Sequence, residues 1–255
     1  MRKAVVFTLV VFVCSLIAGA VTADDLAMVK EKGEIKMAMS GQYPPFNFVD
    51  DKNQLTGFDV EIGQAVAKRI GIKAVPLSTA WDGIIAGLLA NKYELICGSM
   101  AITEERLKSI DFSDPYYRSG AQLFVKKGAA IKSVADLTGK KVGVTLGTTY
   151  EKWVRENISG ADVRTYKGVP DMILEVNYGR IDGFITDKIV GALAIKEKGV
   201  PIALVGDLLY EEKMGIALRQ NNPDLKAAMN EALAAIKDDG TYKEISMKWL
   251  GIDVR

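Results

Sequence analysis

Apolar and polar positions along this chain fall into short strand-like and helix-like segments that follow one another in turn. Glu34 to Ser40 reads as a strand. Phe58, Ile62, Ala65, Val66, Arg69 and Ile70 then share one helical face, with Asp59 near its start and Gly71 at its end. Lys73 to Leu77 predicts a short strand, Trp81 to Lys92 a helix and Tyr93 to Cys97 the next strand. This order predicts an open α/β sheet of parallel strands.

The rhythm then restarts. Ala121 to Lys126 predicts a strand, Ser133 to Leu137 a helical turn, and Lys141 to Leu146 a strand running through Gly147-Thr148-Thr149 into a helix from Tyr150 to Asn157. Val163 to Tyr166, Asp171 to Tyr178, Ile181 to Thr186 and Ile189 to Lys198 continue as strand, helix, strand and helix. Each half is expected to carry its own sheet. Met214 to Leu218 reads as one more strand. Asn222-Pro223 then opens a helix with Asn as cap and Pro in the first turn, and Leu225, Met229, Ala232, Leu233 and Ile236 form its apolar face. Gly240-Thr241-Tyr242 breaks that helix, and Tyr242, Ile245 and Trp249 begin another. No low-complexity linker separates the halves, so short strand-like crossings are expected to join them.

Before the first strand stands an uncharged run from Ala4 to Ala20, behind Arg2 and Lys3 and ahead of Val21-Thr22-Ala23. This is the pattern of a secretory signal over 1–23, cleaved before Asp24; an uncleaved anchor is the alternative. Cys14 follows the bulky Val13, which argues against lipid attachment there. Without the signal, Lys+Arg falls from 33 to 31 against 32 Asp+Glu, a net charge of −1. Such a near-neutral chain gives no electrostatic reason to expect nucleic acid as a partner. The mature chain keeps Cys97 alone, so no disulfide can form within it. It contains no histidine, which excludes Ser-His-Asp and Cys-His nucleophile pairs and histidine-ligated metal sites. No cofactor and no metal are expected.

The most informative stretch is Gly98-Ser99-Met100-Ala101-Ile102-Thr103-Glu104-Glu105-Arg106. Small residues at a strand end free backbone N–H groups for an anion, and Arg106 supplies a planar cationic fork for a carboxylate. Beside two Glu, an arginine is more often part of a solvated helix face. Gly147-Thr148-Thr149, where a strand turns into a helix, offers a second anion support from N–H groups and dipole. It is not a Walker loop, because no Gly-Lys-Ser/Thr follows.

Tyr43-Pro44-Pro45-Phe46, Gly57-Phe58-Asp59-Val60, Asp82-Gly83-Ile84-Ile85, Ile102-Thr103-Glu104-Glu105-Arg106, Asp111-Phe112-Ser113-Asp114-Pro115-Tyr116, Gly147-Thr148-Thr149, Gly179-Arg180-Ile181-Asp182 and Asp239-Gly240-Thr241-Tyr242 occur in that order. With these motifs the chain resembles the periplasmic polar-amino-acid-binding proteins of ABC importers (the extracellular solute-binding proteins of family 3) across essentially the whole mature region. The resemblance implies a two-lobed periplasmic-binding-protein fold, each lobe an open, mostly parallel sheet flanked by helices, with a two-strand hinge. Residues 24–118 plus 215–255 would form lobe 1 and 119–214 lobe 2, with the C-terminal helices packed back on lobe 1.

The resemblance also implies the site. Arg106 would clamp the ligand α-carboxylate, helped by N–H and hydroxyl groups at Gly98, Ser99 and Ala101; Ala101 lacks the hydroxyl many relatives carry there. Thr148 and Thr149 would support the same carboxylate. Asp187, which could equally be a helix cap, would receive the α-ammonium group, so that opposite poles of a zwitterion bind to different lobes. Tyr43 and Trp81 would be the apolar walls. Ser40 lies where binders of cationic amino acids often carry an acid, and Thr145 where some amide binders carry a lysine. With no spare acid or base evident, an uncharged side chain is expected. The role of Tyr150 is open, and Asp59 and Asp182 read as structural, Asp59 as a helix cap.

The resemblance thus implies a monomeric, non-catalytic periplasmic receptor that closes on a free amino acid and presents it to an inner-membrane ABC permease complex. A cyclohexadienyl dehydratase-like enzyme is the alternative on the same fold; its substrates include prephenate, which has no α-ammonium group for Asp187. The sensor module of a signalling protein is a third reading, set aside because no kinase-like region or second membrane segment follows.

Overall fold

A computed structural model describes residues 24–255, so the secretory signal expected over 1–23 lies outside the described residues. The first half runs α1 (Asp25–Lys32), β1 (Glu34–Met39), β2 (Gln42–Tyr43), β3 (Asn47–Val49), β4 (Leu55–Thr56), α2 (Phe58–Ile70), β5 (Lys73–Ser78), α3 (Ile84–Leu89), β6 (Leu95–Ala101), α4 (Glu104–Leu107), β7 (Ile110–Phe112) and β8 (Tyr117–Lys126). The second continues with β9 (Lys141–Thr145), α5 (Thr149–Asn157), β10 (Asp162–Tyr166), α6 (Val169–Asn177), β11 (Gly183–Asp187), α7 (Lys188–Lys198), β12 (Ile202–Arg219), α8 (Pro223–Asp238) and α9 (Thr241–Leu250).

Parallel strands β5, β1 and β6 form one group, and β10, β9 and β11 another. Helices cover each group, which gives the two α/β lobes of the periplasmic-binding-protein fold. The lobes do not have separate sheets, contrary to the reading of the sequence. The strand order is β10-β9-β11-β8-β12-β6-β1-β5, a single hydrogen-bonded path with β7 attached to β12. The reason is the length of β8 and β12. They pair antiparallel with each other at both ends, Tyr117 to Ala121 against Tyr210 to Met214 and Leu123 to Lys126 against Ile202 to Val205, with a register shift between. The two crossing strands therefore stitch both parallel groups together.

The apolar faces bury as their spacing predicts. Phe58, Ile62 and Val66 of α2 are buried, and α2 ends at Gly71 in the left-handed conformation. Leu225, Met229, Ala232, Leu233 and Ile236 of α8 are buried too, and α8 and α9 pack against α2. The helix expected over Trp81 to Lys92 is shorter. It begins as a single 3-10 turn at Trp81–Gly83, and α3 ends by Ala90. Asn91 takes a positive φ of 56°, and the Tyr93 hydroxyl donates to the Ile84 carbonyl, so the chain turns back into β6 early. Cys97 is buried and free. No helix among the described residues is long and apolar enough to cross a membrane.

Candidate functional site

A cavity lies between the lobes, and ten of the eleven residues expected at the site line it: Ser40, Tyr43, Trp81, Gly98, Ser99, Ala101, Arg106, Thr145, Thr148 and Thr149. The eleventh, Asp187, is fully buried next to it and does not line it.

Arg106 owes its place to a short capped turn. Thr103 caps α4, its hydroxyl accepting from the Arg106 amide, and this turns the side chain back over the end of β6. Its Nη1 donates to the Ala101 carbonyl at 2.8 Å, and its guanidinium stands 5.9 Å from the centroid of the Trp81 ring. No carboxylate among the described residues lies within ion-pair distance of it. Burial lowers its pKa, while the charge of Glu212 acts the other way. A desolvated guanidinium with one carbonyl partner has donors left for an anion.

Ala101 thus acts through its carbonyl, which orients the arginine. Ser99 departs from expectation. Its amide donates to the Tyr116 hydroxyl at 2.9 Å and its hydroxyl donates to Asp59 at 2.8 Å, so both donors are engaged in the protein interior. Asp59 is no helix cap, since Gly57 holds that position. It is a buried acceptor for Ser99, Tyr116 (2.6 Å) and Asn47 (2.7 Å). Desolvation pushes its carboxyl up to about 6 against the pull of these donors.

Facing Arg106 across the cavity is the start of α5. Thr148 is its cap, donating to the Thr145 carbonyl and accepting from the Glu151 amide, and the Gly147 amide donates to the Glu151 carboxylate at 2.8 Å. The next two amides, those of Thr149 and Tyr150, fall in the first turn, where a helix supplies no acceptor of its own. They and the helix dipole leave this end suited to a carboxylate. Tyr150 lines the cavity as well, its hydroxyl 3.4 Å from that of Tyr43 on the opposite side.

Asp187 caps α7. Its Oδ1 accepts from the Ile189 amide and the Ser119 hydroxyl, while Oδ2 is buried with no hydrogen-bond partner. Desolvation pushes this carboxyl up to about 7. Both readings of Asp187 therefore have a structural counterpart: one oxygen serves the cap, and the other still needs a donor.

Four lining residues were not found from the sequence: Gln42, Lys167, Gly168 and Glu212. Lys167 is exposed, whereas Glu212 is only 9% exposed. The cavity therefore holds one acid and one base whose absence had suggested an uncharged ligand side chain, and that premise is corrected. Gly168 meets the opposite lobe so closely that a Cβ there would lie 2.5 Å from the Gln42 carbonyl oxygen.

An arginine, a helix start and buried carboxylates thus surround a cleft between two α/β lobes. The chain belongs to the bacterial extracellular solute-binding proteins, family 3, whose description matches residues 35–252. It is 42% identical over 231 residues to the L-cystine-binding protein TcyJ of Escherichia coli (strain K12), covering 90% of this chain and 87% of that protein. It is 34% identical over 220 residues to ABC transporter arginine-binding protein 1 of the same organism, covering 85% and 90%. Among solved structures, the ancestral amino acid-binding protein AncCDT-1, a precursor of cyclohexadienyl dehydratase, superposes with a TM-score of 0.82 at 38% identity, covering 88% of this chain and 99% of that one.

Proposed function

We propose that the protein is the periplasmic receptor of an ABC importer for a free amino acid. It binds the amino acid between lobes formed by residues 24–118 plus 215–255 and by 119–214, closes on it about β8 and β12, and presents it as a monomer to the permease complex. The observation that carries this reading is Arg106, a desolvated guanidinium without an ion pair, set across the cavity from the start of α5. Those two elements belong to different lobes, so a ligand carboxylate held by both favours the closed form.

The relatives' names make L-cystine and arginine the first ligands to test. The uncharged side chain expected from Ser40 and Thr145 is the competing choice, and it has lost support with the finding of Lys167 in the cavity. A thermal-shift panel of amino acids decides among them. Ligand at about 1,000 times its dissociation constant stabilises the folded state by roughly 4 kcal/mol, a shift well above the noise of the method. Cystine or arginine, or an uncharged amino acid on the competing choice, should raise the melting temperature.

The dehydratase alternative keeps one favourable observation, the likeness to AncCDT-1, a precursor of cyclohexadienyl dehydratase; Asp187, the buried carboxyl nearest to a general acid, lies beside the cavity without lining it. Prephenate consumption without any amino-acid shift would establish it in place of the receptor.

A further inference from the structure

Glu212 lines the cavity but takes no part in the carboxylate clamp of Arg106 and the start of α5. It lies on the crossing strand β12, directly opposite Ser119 of β8. The Ser119 hydroxyl donates to Asp187 at 2.8 Å. Glu212 and the Asp187 carboxyl are therefore both neighbours of Ser119. Neither has a lysine or arginine within ion-pair distance among the described residues. Glu212 lines the cavity, and Asp187 keeps an oxygen with no partner behind it.

The electrostatics agree with this placement. Burial raises the pKa of both carboxyls, and the charge of Glu212 raises that of Asp187 further. Thr149 and Tyr150 of α5 and the Arg106 guanidinium act on Glu212 in the other direction, while Tyr210 on its own strand and Tyr43 across the cleft feel its charge. Two buried acids without an ion-pair partner are costly, and an ammonium group with three N–H donors can satisfy both.

We propose that Glu212 receives the α-ammonium group of the bound amino acid, with Asp187 as the second acceptor, so that two carboxylates face that cation. The proposal deepens the receptor reading and rests on it. Covalent geometry selects the α-ammonium over a distal cation. The α-nitrogen lies two bonds from the carboxylate carbon, about 2.5 Å away. A ligand whose carboxylate rests on Arg106 therefore keeps its α-ammonium on the Arg106 side of the cavity that Glu212 also lines, whereas a distal cation reaches further away.

The test is calorimetric titration of wild type and Glu212→Gln with L-arginine, L-cystine and L-glutamine. Each is compared with its counterpart bearing hydrogen in place of the amino group, measured by competition. Wild type should bind at least one of the amino acids and prefer it to its counterpart. Glu212→Gln should lose roughly ten- to a hundred-fold in affinity for the amino acid and change by less than about threefold for the counterpart. Equal losses for both would mean that Glu212 acts only through Arg106, and unchanged affinity for the amino acid would mean that it does not meet the ligand; either overturns the proposal. If wild type binds none of the amino acids, the receptor reading fails and the proposal falls with it. Glu212→Asp, which keeps the charge on a shorter arm, should retain part of the preference and serves if the Gln variant does not fold.

Discussion

Gly168, at the edge where the two lobes meet, offers a test of closure that leaves Arg106 and the start of α5 unchanged. It precedes α6 with φ −170° and ψ −179°, extended backbone that an alanine adopts without strain. Within its own lobe the substitution should therefore cost little. Across the cleft, a Cβ would lie 2.5 Å from the Gln42 carbonyl oxygen and 2.7 Å from the Gln42 Cβ. Ordinary contact begins near 3.4 Å, so the two sides must separate by about 1 Å at this point. Overpacking of this kind costs about 1–3 kcal/mol. If only the closed form makes full contact with the ligand, that cost appears as a roughly ten- to hundred-fold loss of affinity. Calorimetry would measure the loss, and a pair of dyes, one on each lobe, would report ligand-induced closure. The melting temperature of the unliganded Gly168→Ala protein should stay near that of wild type. Unchanged affinity with unchanged closure would refute the reasoning, because the lobes would then have no need of this approach.

Three further outcomes follow from buried carboxyls. The Asp187 carboxyl moves from an ordinary 3.8 to about 7 in the folded protein, so the folded state holds its proton more tightly than the unfolded chain. The stability this confers is complete below about pH 4 and is lost as pH rises through about 7, a change of at most about 4 kcal/mol. Denaturant titrations of the unliganded protein should show this decline, and Asp187→Asn should flatten it; an identical decline in the variant would count against Asp187. Affinity for an ammonium-bearing ligand should run the opposite way, falling up to about tenfold for each pH unit below 7, because the ionised carboxylate is the form that binds a cation. Asp59→Ala should destabilise the protein by about 3 kcal/mol or more, since it strands the donors of Asn47, Tyr116 and Ser99 in the interior. A change below about 1 kcal/mol in urea unfolding would show that these groups find other partners.

What could be read in the sequence depended on how local its cause is. The faces of α2 and α8 are set by spacing within one helix, and both buried as expected. Arg106 was legible through the resemblance carried by Ile102-Thr103-Glu104-Glu105-Arg106 and the small residues before it, since beside two Glu an arginine alone reads as a solvated helix face. Glu212 was not, because Tyr210-Glu211-Glu212-Lys213 reads as a polar surface run. Only the pairing of β12 with β8 turns one of its acids into the cavity beside Ser119 and Asp187. The length of β12 was hidden for the same reason: between Asp207 and Lys213 it crosses between lobes, where no apolar alternation marks a strand. Asp59 looked like a cap from its place near the start of a helix. Its three partners come from Asn47, Ser99 and Tyr116, and no local pattern connects them.

The central claim is that Arg106 holds the carboxylate of a free amino acid in the cleft. Mass spectrometry of the wild-type protein and of Arg106→Ala, purified side by side without added ligand and then titrated with the amino acid found, tests it most directly. The account predicts one amino acid bound to wild type and none to Arg106→Ala, with both proteins folded to the same degree. A wild-type protein that carries and binds no amino acid, or an Arg106→Ala protein that retains the wild-type affinity, would contradict it.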